Sequence, residues 1–220
     1  MSLPPPPLPS RPLRRDARRN RQRILEAGRE LVVEHGLNVS HEQIAEAADV
    51  AVGTVYRHFP DRELLVEELL TGHVDAVVAR AEAAAQIEDP WEALVSFMVT
   101  GLEIRVANRG LHEIFLGTTR GARLATHSRE RIAPLAARIV DRCHRAGVLR
   151  PGVGALDLAV VPIMIGALGT SARHASPELW KRHLVAILDG FRYDGGALPG
   201  STPTPGQIDQ ILSSWRPPRA

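Results

Sequence analysis

Between Ser40 and Leu65 the chain reads SHEQIAEAADVAVGTVYRHFPDRELL, two short helical segments joined by a tight turn, the shape of a module that enters a DNA groove. The second segment holds Thr54, Tyr56, Arg57 and His58, which carry a hydroxyl, a phenol, a guanidinium and an imidazole, groups that can all donate hydrogen bonds. Such a set suits recognition rather than bond making. No Ser-His-Asp neighbourhood, phosphate-cradling glycine loop or paired Cys-His motif stands out, and the nine histidines are mostly isolated. The sequence therefore predicts no enzyme, no cofactor and no metal site.

The elements that must position these side chains are helical. Ile24, Leu25, Leu31 and Val32 recur at helical spacing from about Asp16 to His35, where His35–Gly36 supplies a stop. Ser40 with Gln43 fits a capping box opening a second helix that puts Ile44, Ala47 and Ala48 on one face. A break at Asp49–Val50 precedes a short third helix that Pro60 ends, and Asp61 can cap a long fourth. Ala45 is small where two helices cross, Val50 can plug the turn and Val55 can anchor the third helix from beneath. That leaves Val52, Gly53, Thr54, Tyr56, Arg57 and His58 for the outer face or helix start.

Beyond "EDP" the chain reads as helices over 91–108, 111–118, 128–146, 156–174 and 177–191, with no alternating strand pattern of useful length. Pro162 is expected to bend or break its helix. The resulting division is a disordered Pro/Arg-rich arm over 1–15, a helix-turn-helix unit over 16–60, a larger helical domain over 61–194 and a Gly/Pro-rich tail over 195–220. The tail offers one short helix, 207–215.

A chain of 220 residues with 44% apolar content can bury one substantial core, or a small domain attached to a larger one. The single cysteine, Cys143, cannot form an intrachain bridge, and no apolar leader follows Met1, so a reduced cytoplasmic protein is expected. The apolar run 158–169 is too short to span a bilayer, has Asp157 at its entrance, and reads as a buried helix. A net charge of +2 announces no polyanion partner, but its placement is uneven. Residues 11–23 hold seven arginines and one aspartate, whereas residues 24–60 hold two arginines against six acids. Arg18 and Arg19, nearest the first helix, are the arm's best contacts to phosphate.

The stretch IAEAADVAVGTVYRHFPDRELL resembles the DNA-binding signature of the tetracycline-repressor-like (TetR) family, approximately T-x-x-x-I-A-x-x-A-G-V-S-x-G-T-x-Y-x-H-F-x-x-K-x-x-L. The match covers about 45 residues, and G-T-x-Y-x-H-F is its specific part. The resemblance implies that Ser40 stands where the family's threonine caps the second helix and approaches a phosphate. It places Thr54, Tyr56 and His58 at positions contacting DNA backbone oxygens, and Val52, Gly53 and Arg57 at positions facing base edges. Arg57 is the candidate for bidentate guanine reading. Two residues depart from the pattern. Asp49 replaces the turn glycine, which aspartate's tolerance of left-handed geometry permits, and Ala51 replaces the serine that would cap the recognition helix.

The resemblance further implies that the larger part is a ligand-receiving and dimerising bundle, whose contacts cannot be transferred by motif. The expected pocket draws apolar lining from Trp91, Phe97, Met98, Leu102, Phe115, Leu116 and Met164, with Arg105 and His112 among the polar groups that could orient a ligand. Gly166, Gly169 and Thr170 form a small-residue stripe, and Leu184, Ile187, Leu188 and Phe191 share a helix face. Together they are expected to build a four-helix dimer interface. The expected function is a ligand-responsive regulator, in most of the family a repressor, that binds a near-palindromic double-stranded DNA operator as a homodimer and is released by a mainly apolar small molecule. Membrane partners are not expected. The alternatives are a metal sensor, with His112, Glu113, His127, Cys143 and His144 converging, and an architectural DNA-binding protein without an effector.

Overall fold

Helical periodicity and caps at the expected places produce an all-α chain. The computed structural model describes residues 12–116, 121–192, 196 and 198–214. Helix α1 (Pro12–His35) is followed by one 3-10 turn, then α2 (His41–Ala47) and α3 (Val52–His58). The capping box at Ser40 is formed on both sides: the Gln43 amide donates to the Ser40 hydroxyl over 3.2 Å and the Ser40 amide to Oε1 of Gln43 over 2.8 Å. Asp49 takes the left-handed conformation with φ 49°, so the turn keeps its geometry without glycine. Arg23 holds that turn from α1, donating to the Asp49 carbonyl at 3.1 Å and its carboxylate at 3.0 Å.

Asp61 caps α4 (Arg62–Ala85), and Asp89 with Pro90 opens α5 (Pro90–Ala107). Asn108 caps the short α6 (Arg109–Phe115). Helices α7 (Ala122–Arg145), α8 (Ala155–Ala172), α9 (Leu179–Phe191) and α10 (Pro205–Ser214) complete the described chain. Three expectations are corrected. Helix α1 begins at Pro12, so residues 12–15 are helical rather than part of a disordered arm; residues 1–11 lie outside the described part, as does Trp215 of the expected tail helix. Helix α7 starts six residues before Ser128, because Gly121 at φ 78° provides the turn into it. Helix α8 runs through Pro162 without a break, its neighbours holding it in the bundle.

The first three helices do not have a core of their own. Ile24, Ile44, Val55 and Phe59 form one apolar cluster with Leu65 and Leu69 of α4, Leu111 and Ile114 of α6, and Leu124 of α7. A second cluster, around Leu94, Leu102, Ile139, Leu158 and Leu188, fills the bundle of α4, α5, α7, α8 and α9. A third, Leu116 with Ile163, Ile208 and Leu212, fastens α10 to the bundle.

Glu113 joins the two parts. Its buried carboxylate accepts the Leu37 amide at 2.8 Å and the Arg109 Nε–H at 3.2 Å, so α6 is bonded to the turn between α1 and α2. Gly36 in that turn sits at φ 74°, and a Cβ there would stand 2.3 Å from Oε1 of Glu113. Gly36→Ala is therefore expected to lose at least about 2 kcal/mol, from backbone strain plus displacement of the carboxylate. Gly72→Ala, exposed in α4 with nothing near its Cβ, should gain roughly 0.5–1 kcal/mol. Urea unfolding of both variants checks the contrast, and equal effects would refute it.

Candidate functional site: a nucleic-acid face and an apolar cavity

Seven residues are too few for an autonomous helix, so α3 owes its place to packing. Val55 is fully buried beneath it, and Phe59 closes its end with 4% exposure. The opposite face is open, with Tyr56 46% and Val52 37% exposed and Arg57 on the surface beside them. Thr54 and His58 flank this face and are partly buried. Gly53 is open in a telling way: a Cβ there would meet nothing within 4 Å, so among the described residues no contact demands glycine. Ala51 supplies no side-chain cap, as its type dictates.

Neighbouring helices hold this face in register. The Tyr56 ring stacks on His41 of α2 at 4.5 Å between centroids, with planes 13° apart, and its hydroxyl donates to Glu42 over 3.3 Å. His41 is buried and its Nε2 bonds the Phe59 carbonyl at 3.0 Å, so one imidazole ties the start of α2 to the end of α3. Hydrogen bonds from its own backbone amide and from Ser40 hold the Glu42 carboxyl below the usual carboxylate range. Sequence reading passed over His41, because nothing in its type or position distinguishes a stacked, bonded imidazole from an exposed one.

The arginine-rich segment is divided. Arg21 pairs with Glu68 of α4 and lies over the Phe59 ring at 5.2 Å, and Arg23 holds Asp49. Arg18 and Arg19 remain exposed on α1. Ser40 is partly buried and its hydroxyl is engaged in the capping box.

Between α4, α5, α7, α8 and α10 lies a cavity of about 200 Å³. Phe97, Met98, Leu102, Arg105 and Phe115 line it as expected, joined by Pro162 and by Ile208 and Leu212 of α10. Four expected residues stand elsewhere. Trp91 lies under the Arg192 guanidinium at 4.9 Å, and Leu116 packs into the α10 cluster. Met164 points outward, 49% exposed. His112 is buried behind the wall, its ring so close to α8 that a Cβ on Gly166 would stand 2.2 Å from it.

The residues 24–69 match the family model described as bacterial regulatory proteins, tetR family, and residues 89–193 match a second, the C-terminal domain of SbtR-like transcriptional regulators. The chain belongs to the TetR family. An HTH-type transcriptional regulator of Staphylococcus aureus is 33% identical over 92 residues, 41% of this chain and 48% of that protein. The chain thus spans about half the length of the curated relatives it matches. Among solved structures, the TetR regulator SCO0520 of Streptomyces coelicolor is 26% identical with a TM-score of 0.51, over 78% of this chain and 98% of its own. The ketosteroid transcriptional regulator KstR2 of Mycobacterium tuberculosis, 21% identical, shares the fold with a TM-score of 0.58 over 80% and 96%.

Within this TetR-family fold the two glycines of the α8 stripe face inward and are buried against α6 and α5 of the same chain. Gly166 abuts His112, and a Cβ on Gly169 would press 2.6 Å from Val106 of α5. Leu184 and Leu188 are buried in the bundle core, with Ile187 and Phe191 packed against it. The Thr170 side chain lies outside the described residues. The outward faces of the same helices carry Met164 and Val185, 49% and 55% exposed.

The proposed metal ligands do not meet. Cys143 is buried, donates to the Pro90 carbonyl at 3.0 Å and is pushed up to about 11 by burial, while His144 bonds the Val153 carbonyl at 2.8 Å. Among the described residues no three His, Cys, Asp or Glu side chains gather as a metal site. No helix of the described residues is long and apolar enough to cross a membrane.

Burial, helped by the Arg105 and Arg109 charges, pushes His112 down to about 4 from its usual 6.5. The folded chain refuses a proton that the unfolded chain accepts, so stability is full above pH 6.5 and falls as pH drops toward 4. Between pH 7.5 and 5 wild type should lose about 2 kcal/mol more than His112→Gln. Urea midpoints at the two pH values test this; equal losses would sink it.

Proposed function

We propose that this protein is a DNA-binding transcriptional regulator, acting as a repressor, that grips a near-palindromic operator as a homodimer and is released by a small, mainly apolar molecule. The observation that carries the reading is the open face of α3, set on a buried Val55 and Phe59, in a chain whose bundle contains an apolar cavity. Tyr56, Thr54 and His58 hold phosphate oxygens and fix register, while Arg57 reads a base edge. Gly53, which no contact among the described residues requires, lets DNA approach the helix start closely. Arg18 and Arg19 add phosphate contacts from α1.

The dimer places two such faces in successive major grooves, roughly 34–36 Å apart. Exposed Met164 and Val185 supply apolar surface on α8 and α9 for the subunit contact. The link between cavity and DNA face runs through α6: Phe115 lines the cavity and Glu113, two residues earlier, holds the Leu37 amide. A ligand that favours one placement of α6 shifts the population of DNA-competent dimers, and operator DNA weakens ligand binding by the same factor. The cavity speaks against an effector-free architectural protein.

Selection from random duplexes should yield a two-fold symmetric site. On it, Arg57→Ala should forfeit about 1–3 kcal/mol of discrimination at one base pair of each half-site. Gly53→Ala should leave thermal stability unchanged or slightly raised while weakening binding at least about tenfold. Replacing Arg18 and Arg19 by glutamine should flatten the salt dependence by about one to two counterions. Fluorescence anisotropy with labelled duplex measures all three; undiminished binding by both α3 variants would place the contact elsewhere.

A further inference from the structure

We propose that the molecule received by the cavity is a small apolar acid whose carboxylate is bound by Arg105. This rests on the reading of the cavity as the effector site and names the chemistry of its occupant.

The described wall is apolar except for two side chains, Arg105 and Arg129, and it includes no acid. A cavity with cations and no anion selects against a cationic guest. The two arginines are not equivalent. Arg129 donates to Asp209 of α10 at 2.9 Å, so its charge is answered from within the chain. Among the described residues Arg105 has no such partner. Its guanidinium lies over the Phe115 ring at 3.7 Å, and its Nε is sealed from solvent without a hydrogen-bond acceptor.

The surrounding acids are engaged elsewhere. Glu103 pairs with Arg80 at 3.5 Å, and Glu113 is committed to Arg109 and the Leu37 amide. The other titratable neighbours, His112 and Arg109, bring no negative charge. Burial alone pushes Arg105 down to about 9, and it still carries its proton at neutral pH. Arg105 is only half-buried as a residue, but a partly desolvated cation without a counterion among the described residues is still costly, and an entering carboxylate removes that cost.

Geometry favours a carboxylate over a point anion. With its face on Phe115, the guanidinium has its planar N–H edge left for a ligand, and that edge matches two carboxylate oxygens. Size sets the remainder. A 150 Å³ apolar cavity holds benzene, so about 200 Å³ suits an acid of roughly ten non-hydrogen atoms. An anion drawn to Arg105 also acts on its stack with Phe115, which belongs to the helix that carries Glu113.

Calorimetric titration of the full chain with octanoate and its neutral isostere octanamide tests the assignment without DNA. Octanoate should bind at least about tenfold tighter than octanamide. Arg105→Gln should bring octanoate down to the octanamide level while leaving octanamide binding unchanged, which also shows that the variant is folded. Equal affinity of the two in wild type, or an Arg105→Gln variant that keeps the preference for octanoate, overturns the assignment to Arg105 and leaves the effector reading standing. No binding of either compound at millimolar concentration overturns the proposal as well. The effector reading is judged separately, by whether a molecule that does bind displaces the operator.

Discussion

A carboxylate buried between two helices fixes how the recognition helix stands on the rest of the molecule. Glu113 can be buried only because the Leu37 amide and the Arg109 guanidinium satisfy it, and only because Gly36 leaves room and tolerates φ 74°. Around that bond the first three helices, α4, α6 and α7 share one apolar core. The DNA-facing unit is therefore not a module on a tether. Its orientation is part of the bundle's own packing, with α6 bonded directly to the turn that precedes α2.

Recognition itself is built from weak parts held in place by stronger ones. Helix α3 is one turn beyond the minimum, has no side-chain cap at Ala51 and carries a single arginine. Its rigidity comes from Val55 and Phe59 below, from the His41 imidazole joining the start of α2 to its own end, and from Arg23 bracing the left-handed Asp49. The departures from the family pattern are thus compensated structurally at the turn but not at the helix start. An exposed Arg23–Asp49 pair contributes little energy, and its value is positional.

The helix-turn-helix unit was legible because capping, period and breakers agreed there: Ser40 with Gln43, Ile44 and Val55 on inner faces, Pro60 at the exit. Legibility declined where one chain's periodicity had to name its neighbour. The apolar face of α9 and the glycines of α8 were grouped by spacing alone; within the chain the glycines abut α6 and α5, while α9 packs on α8 and α5. Periodicity reports which residues share a face and is silent about what covers it. Of the two outcomes expected at Pro162, a bend or a break, the break does not occur, because the packing of α8 on its neighbours holds the helix continuous. Five of the nine expected cavity residues do line it, because size and apolar type restrict such a wall. Glu113 and His41 carried no local signal, since burial of a polar side chain depends on partners 76 and 18 residues away.

Ile208 and Leu212 belong to the cavity wall, yet they come from α10, the last described helix, which is held by those two buried side chains and an exposed bridge from Arg129 to Asp209. Apolar anchoring of that size is worth on the order of 3–6 kcal/mol. The last described helix thus completes a wall of a cavity whose other walls come from helices far earlier in the chain, so the shape of that space depends on a segment more than forty residues downstream of α8's Pro162.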